Sequence, residues 1–101
     1  MLLIRDVFHC KPGKVRPMVE KMVAMAKLSE TLGMGKSRIM TDVSGERFWT
    51  VVSEFEVESF EKFMGMGQDG DVEEMKKFEE IMKGYHDLVD HGRREIYTIE
   101  G

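Results

Sequence analysis

Two imidazoles and a carboxylate lie close together in the sequence, at His86, Asp90 and His91, in a segment predicted to be helical. A spacing of four places His86 and Asp90 on one helical face. Such a trio can transfer protons or bind a metal, but a metal would need a further ligand, and surface side chains are the commoner interpretation. We predict no metal site. His86 is the candidate catalytic residue, as a general base or an axial ligand.

Four further side chains are candidates for lining a substrate pocket near His86. Met82 and Tyr85 belong to the predicted apolar stripe that His86 borders. Trp49 lies in a predicted strand, and His9 lies at the end of another, where a cavity mouth is expected. Large aromatic residues at such spacing are more often part of a core, so a packing role stays open for each of them.

A glycine-rich segment resembles a dinucleotide-binding motif, because Gly65, Gly67 and Gly70 match G-x-G-x-x-G. That motif functions only after a strand and within a parallel β-α-β unit, which the sequence does not predict here. Asp69 and Asp71 would also repel a pyrophosphate. We predict a loop between two helical segments.

The chain contains ten methionines. Met64 and Met66 suggest copper, because thioethers are soft ligands, but most of the others fall on apolar helical stripes. Methionine in such stripes is adaptable core filler. A methionine-lined cavity that accepts hydrophobic ligands is the functional alternative.

Composition restricts the class of protein. The 101 residues, with 42% hydrophobic and 34% charged side chains, predict one globular domain over 1–101. A net charge of −4 without a basic stripe argues against nucleic acid, and no apolar run is long enough for a membrane span.

Cys10 is the one cysteine, so no intrachain disulfide forms, and a buried filler is favoured over a nucleophile. We expect a cytoplasmic protein.

The predicted elements follow the order β-α-β-β-α-β. The strands are predicted at Leu2–Cys10, 36–43, 46–57 and 93–100, with a tight turn at Ser44 and Gly45. The helices are predicted from Val15 to Gly33 or Gly35, from Ser59 to Met64, and from Asp71 to a helix-ending Gly92. This order predicts a ferredoxin-like α+β fold, with a four-stranded antiparallel sheet and two main helices on one face.

The predicted strands carry apolar residues at both parities, so both faces of the sheet need cover. In the third strand, alternation places Trp49 and Val51 on one side and Phe48 and Val52 on the other. Two helices of one short chain cover only one face. We therefore expect a homodimer formed through the open sheet face.

Three segments carry a family resemblance: FHCKPGKVRPMVEKMVAM, FWTVVSEFEVESFEKFM and the closing REIYTIE. Together they resemble the dimeric α+β barrel superfamily, and within it the antibiotic-biosynthesis-monooxygenase-like and NIPSNAP-like small proteins. The resemblance implies a homodimer with a cavity between sheet and helices in each subunit. Members of the superfamily include cofactor-free monooxygenases, haem-degrading enzymes, small isomerases and proteins of no established activity.

The functional residues of the family transfer poorly to this chain. Haem-degrading members use an Asn on the first strand, and this sequence contains no Asn. A helical Trp of those enzymes would fall near Phe60 and Phe63, so haem degradation is disfavoured and no cofactor is expected. The resemblance leaves two hypotheses: a monooxygenase-like or isomerase-like enzyme acting on a small apolar or aromatic molecule, or a non-catalytic ligand-binding or dimerisation module.

Overall fold

One antiparallel sheet organises the protein, as seen in a computed structural model that describes residues 1–65 and 72–101. Its strands are β1 (Leu2–Cys10), β2 (Ser37–Thr41), β3 (Thr50–Val57) and β4 (Val89–Thr98), in the spatial order β2-β3-β1-β4. The helices are α1 (Val15–Thr31), α2 (Phe60–Gly65) and α3 (Val72–Met82), and a 3-10 helix (Tyr85–Asp87) precedes β4. The predicted α+β, ferredoxin-like arrangement is confirmed.

The register of β1 with its neighbours sorts side chains onto two faces. Ile4 is paired with Phe55 and Ile96, and Phe8 is paired with Val51 and Gly92. These positions share the face that carries the helices, where the buried core consists of Cys10, Met18, Met22 and Val51. The alternate positions of each strand point to the other, open face.

Helix α1 covers β2 and β3 and packs beside α3. Met18 and Met22 lie one turn apart and are both buried, so they anchor the apolar stripe of α1. Lys21 Nζ donates to the backbone carbonyls of Ile81 and Lys83, at 3.2 and 2.6 Å. These bonds satisfy carbonyls at the end of α3 and fix its position beside α1.

The tight turn predicted between the second and third strands is wrong. Strand β2 ends at Thr41 and β3 begins only at Thr50, so an eight-residue loop (residues 42–49) replaces the tight turn at Ser44 and Gly45. Asp42 Oδ1 accepts a hydrogen bond from the Thr50 amide at 2.8 Å and closes this loop. Trp49 adopts φ 64°, a left-handed conformation rare for a bulky residue, and belongs to the loop.

The predicted end of the last helix is also wrong, because the helix is shorter than predicted. Helix α3 ends at Met82, and Gly84 then takes the left-handed conformation, with φ 82°, that stops helical propagation. Strand β4 starts at Val89, so His86 and Asp90 do not share a helix and His91 is a strand residue. Gly92 does not end a helix: it lies inside β4, where an added Cβ would come 2.9 Å from the Phe8 ring.

The predicted short helix is confirmed as α2. Ser59 Oγ accepts a hydrogen bond from the Lys62 amide at 3.1 Å, as expected of an N-cap. The predicted loop positions Gly67 and Gly70, and Asp71 as the start of the following helix, lie outside the described residues. Among the helices of the two described ranges, none has an apolar run that could cross a bilayer.

Candidate functional site

A cavity of about 470 Å³ lies between the helices and β3, on the helix-bearing face of the sheet. We call it the methionine cavity. Its apolar lining comes from α1, β3, α2, α3 and the turn after α1, through Met25, Met34, Phe55, Phe63, Met64, Met75 and Phe78. Ser29, Glu74 and Arg94 supply its polar groups. An apolar cavity with few polar groups is typical of small-molecule sites.

Arg94 of β4 stands at one wall of the methionine cavity. Its Nε and Nη2 donate to Asp6 Oδ1 and Oδ2 at 2.7 and 3.2 Å, and this fork holds the guanidinium in one orientation. The hydrogen bond to Asp6 raises the pKa of Arg94 above its ordinary value. The guanidinium carbon also lies 5.0 Å from the centre of the Phe63 ring, within range of a cation–π interaction.

A second recess, here called the β4 groove, runs along the edge strand and has a volume of about 480 Å³. Tyr85 and His86 line it, with their ring centres 4.0 Å apart. Asp6 and Arg94 line it as well. Arg94 therefore borders both recesses.

The open face of the sheet has a charged centre. Glu54 is only 5% exposed, and its carboxylate accepts hydrogen bonds from Arg5 Nε at 2.6 Å and from Arg38 Nη2 at 2.9 Å. Arg5 also lies 3.8 Å from Glu95. The apolar residues expected on this face are present at Val7 and Val52, which pair directly with each other, and the neighbouring pair on the same face is Arg5 with Glu54. Buried carboxylates are stable only when they are paired in this way.

His9 lies at one end of this open face and is only 4% exposed. Arg93 Nη1 lies 3.1 Å from His9 Nε2, and since a guanidinium can only donate, Nε2 is the acceptor. The ring proton is then on Nδ1, 3.3 Å from Thr50 Oγ1. The Thr50 hydroxyl in turn donates to the carbonyl of Arg47 at 2.9 Å.

The electrostatic surroundings of His9 favour a neutral imidazole. Burial is the largest cause, and it lowers the pKa of His9 below its ordinary value. Positive charge on Arg47, His91 and Arg93 lowers this pKa further, while Glu46 opposes them. His91 stacks at an angle on His9, with ring centres 4.7 Å apart.

The residues predicted as a site are distributed over both faces of the sheet. His86 and Tyr85 share the β4 groove, whereas His9 lies on the open face and Trp49 on the loop beside it. Met82 packs against the hydrophobic core. In residues 1–65 and 72–101, no group of three His, Cys, Asp or Glu side chains could hold a metal ion.

Sequence reasoning missed the Asp6–Arg94 pair and the contact of Arg93 with His9. These residues are more than 80 positions apart in the chain. The pairing of β1 with β4 brings them together, and the register was not predictable from spacing. The runs RD at 5–6 and RRE at 93–95 were the available signal, because complementary charges often face each other across antiparallel strands.

Comparison with known proteins adds a fold-level relationship. No protein-family model and no curated protein matches this chain. A NIPSNAP domain protein from Burkholderia xenovorans has a similar crystal structure, with a TM-score of 0.74 and 12% identity over 99% of this chain and 95% of that chain. A NIPSNAP family protein from Agrobacterium tumefaciens has a TM-score of 0.72 and 10% identity over 96% and 90%.

A protein from Arabidopsis thaliana also shares the fold, with a TM-score of 0.66 and 18% identity over 100% of this chain and 97% of that chain. At such low identity, these similarities establish the fold alone. The predicted NIPSNAP-like, ferredoxin-like resemblance is confirmed at that level.

Proposed function

We propose that this protein binds a small apolar or aromatic molecule in the methionine cavity. The cavity itself carries the proposal: about 470 Å³ between sheet and helices falls within the range of ligand sites. Methionine side chains are unbranched and polarisable, so they adapt to ligands of different outline. The proposal therefore concerns a class of hydrophobic molecules.

The polar wall of the cavity suggests what such a ligand carries. Arg94 Nη1 has no hydrogen-bond partner among residues 1–65 and 72–101, since Nε and Nη2 are used by Asp6. A ligand with one carbonyl or hydroxyl oxygen would accept from this donor. An aromatic ring would also stack favourably beside Phe63.

Binding of 1-naphthol tests this proposal, because it combines an aromatic body with one oxygen. Met75→Gln adds polarity to the cavity at a side chain that is 42% exposed, so the fold tolerates it. We expect about a fivefold loss of affinity. Met40→Gln is the matched control, at 36% exposure on the open face. Equal affinities for the two variants, or no saturable binding, would reject the cavity as the site.

We further propose a homodimer in which the open faces of two copies meet. Many exposed large apolar side chains lie on this face, at its ends or on the loop 42–49. They are Met1, Met40, Val43, Phe48, Trp49, Tyr97 and Ile99. Clustered exposed apolar surface favours association. The charged centre, with Glu54 paired to two arginines, would meet its own copy across the two-fold axis.

Analytical ultracentrifugation at micromolar concentration tests the dimer, which should have twice the 11.7 kDa mass of the chain. Phe48 is 83% exposed, so Phe48→Asp should weaken dimerisation without harming the fold. Phe60→Asp, at 54% exposure next to Ser59 on the helix side, is the control and should remain dimeric. A monomeric wild-type protein would overturn this part of the proposal.

A second candidate function is proton transfer by His86. In a monooxygenase-like reaction, dioxygen would then add to the resulting carbanion, and the hydroperoxide formed after protonation would lose water to leave a new carbonyl group. The favouring observation is that Tyr85, His86 and Arg94 share the β4 groove. The imidazole would take a proton from an enolisable substrate, and Arg94 would stabilise the oxyanion that forms.

Solvent deuterium incorporation into 2-indanone, followed by NMR, tests this chemistry. His86→Ala should slow exchange at least about tenfold, whereas Asp87→Ala, at the next residue of the 3-10 helix, should not. Exchange at the same rate in His86→Ala and wild type would remove His86 from the mechanism.

We place this function in the cytoplasm, where the free thiol of buried Cys10 would persist.

A further inference from the structure

We propose that a second site, on the open face beside the loop 42–49, binds an oxyanion, either a carboxylate or a phosphate group, between Arg47 and Arg93. The site is a cavity of about 360 Å³, here called the open-face cavity, whose lining includes Arg47, Arg93, His9 and Thr50. It lies on the opposite side of the sheet from the methionine cavity. The inference therefore does not depend on ligand binding in the methionine cavity, and in the proposed homodimer this site would lie where the two open faces meet.

Arg47 is the first observation. Its Nη1 lies 3.2 and 3.5 Å from the two ring nitrogens of His91, which are weak partners for a guanidinium. In the described parts of the chain, Arg47 makes no ion pair with a carboxylate, whereas Arg5 makes two and Arg38 and Arg93 make one each. A guanidinium on a cavity wall without a counter-ion is suited to a ligand that brings one.

Arg93 supplies the second half of the site. Its Nε donates to Glu95 at 2.8 Å, and its Nη1 contacts His9 at 3.1 Å. Within residues 1–65 and 72–101, Nη2 has no hydrogen-bond partner. Both bonds hold the guanidinium in place, and the preorganised planar group retains donors for a carboxylate or phosphate oxygen.

The carboxylates that line the cavity do not fill this role. Glu54 is held by two arginines, and Asp42 accepts from the Thr50 amide. Glu46 is the carboxylate that remains: it is exposed and acts electrostatically on Arg93 and His9, but it forms no ion pair within 4.0 Å in the described residues.

Most of the charged groups around His9 line the same cavity. Burial is the largest cause of the lowered pKa of His9, electrostatic interactions with Arg47, His91 and Arg93 lower this pKa further, and Glu46 raises it. The fixed positive charges of Arg47 and Arg93 therefore come together at one place on the open face. An anion placed between Arg47 and Arg93 would relieve the repulsion among these groups.

NMR titration of the full chain with inorganic phosphate, and separately with succinate, tests the site at constant ionic strength. We expect saturable shifts of the His9 and His91 imidazole signals with at least one of the two, and the one that binds identifies the head group. Arg47→Gln should weaken binding by about tenfold or more. Arg16→Gln is the control, at an exposed arginine of α1 that does not line this cavity, and should change affinity less than about twofold.

Two results would overturn the site. One is the absence of saturable shifts with both probes up to about 20 mM, since a Kd weaker than that leaves little net binding energy. The other is an equal loss in Arg47→Gln and Arg16→Gln, which would mean general screening of surface charge. Arg47 is exposed, so its variant should fold as the wild type does.

Discussion

The two faces of the sheet bury their side chains in different ways. The helix side leaves a cavity among methionines and phenylalanines, while the open side buries His9 and Glu54 with hydrogen-bond partners for both. The side chains around an unfilled apolar cavity lack dispersion contacts on one side, and a ligand that fills the cavity supplies them. On the open side, the buried side chains of His9 and Glu54 already have their hydrogen-bond partners within the chain. This difference supports the two proposals of an apolar ligand on the helix side and of an oxyanion on the open side, where Arg47 lines a cavity and has no carboxylate partner in the described residues.

The largest expected effect is a difference in unfolding free energy between a methionine of the packed core and a methionine that lines the cavity. Met18 is fully buried in the core, so Met18→Ala should cost about 2–5 kcal/mol of unfolding free energy. Met75 is 42% exposed and lines the methionine cavity, so Met75→Ala should cost less than about 1 kcal/mol. Urea denaturation of both variants measures the difference. Similar losses would show that the cavity wall is as tightly packed as the core.

A smaller effect is expected on the open face. Glu54→Gln should cost about 1–3 kcal/mol, because an amide cannot accept charge-assisted hydrogen bonds from both Arg5 and Arg38. Glu56→Gln, an exposed position of the same strand, is the control and should be neutral within about 0.5 kcal/mol. If the two substitutions cost the same in urea denaturation, the charged centre does not stabilise the fold.

The smallest effect concerns the pH dependence of stability. Because the folded-state pKa of His9 lies below its unfolded value, the unfolded chain takes up a proton first as pH falls. Stability should therefore decline below about pH 6.5, the ordinary histidine value, until the folded pKa is reached. His9→Gln should lack this part of the decline when unfolding free energies at about pH 7.5 and pH 5.5 are compared. Parallel pH profiles would show that His9 is not perturbed.

Much of the fold was predictable from local sequence. Alternation in residues 2–10 predicted β1, and the apolar stripe with Gly33 predicted α1 and its end. The end of α3 was not predictable, because Met82, Tyr85 and Val89 fit one helical stripe although only Met82 belongs to α3. Tyr85 and Val89 pack against the core from the 3-10 helix and from β4. Gly84 was the local signal for that change.

The site was less predictable than the fold. Methionines on helical stripes indicated a cavity lining, but the space between Met25 and Phe55 depends on how α1 lies over β3. The Asp6–Arg94 pair depends on the register of two strands from opposite ends of the chain. Local patterns specify elements, whereas cavities and cross-strand pairs arise from their assembly.

Methyl NMR of protein labelled at its methionine methyl groups tests the central claim directly, because methionines lie on both faces of the sheet. On titration with 1-naphthol, the account predicts saturable shifts at Met25, Met34, Met64 and Met75, with little change at Met1 and Met40. Shifts confined to Met1 and Met40, with the cavity methyl groups unmoved, would contradict it.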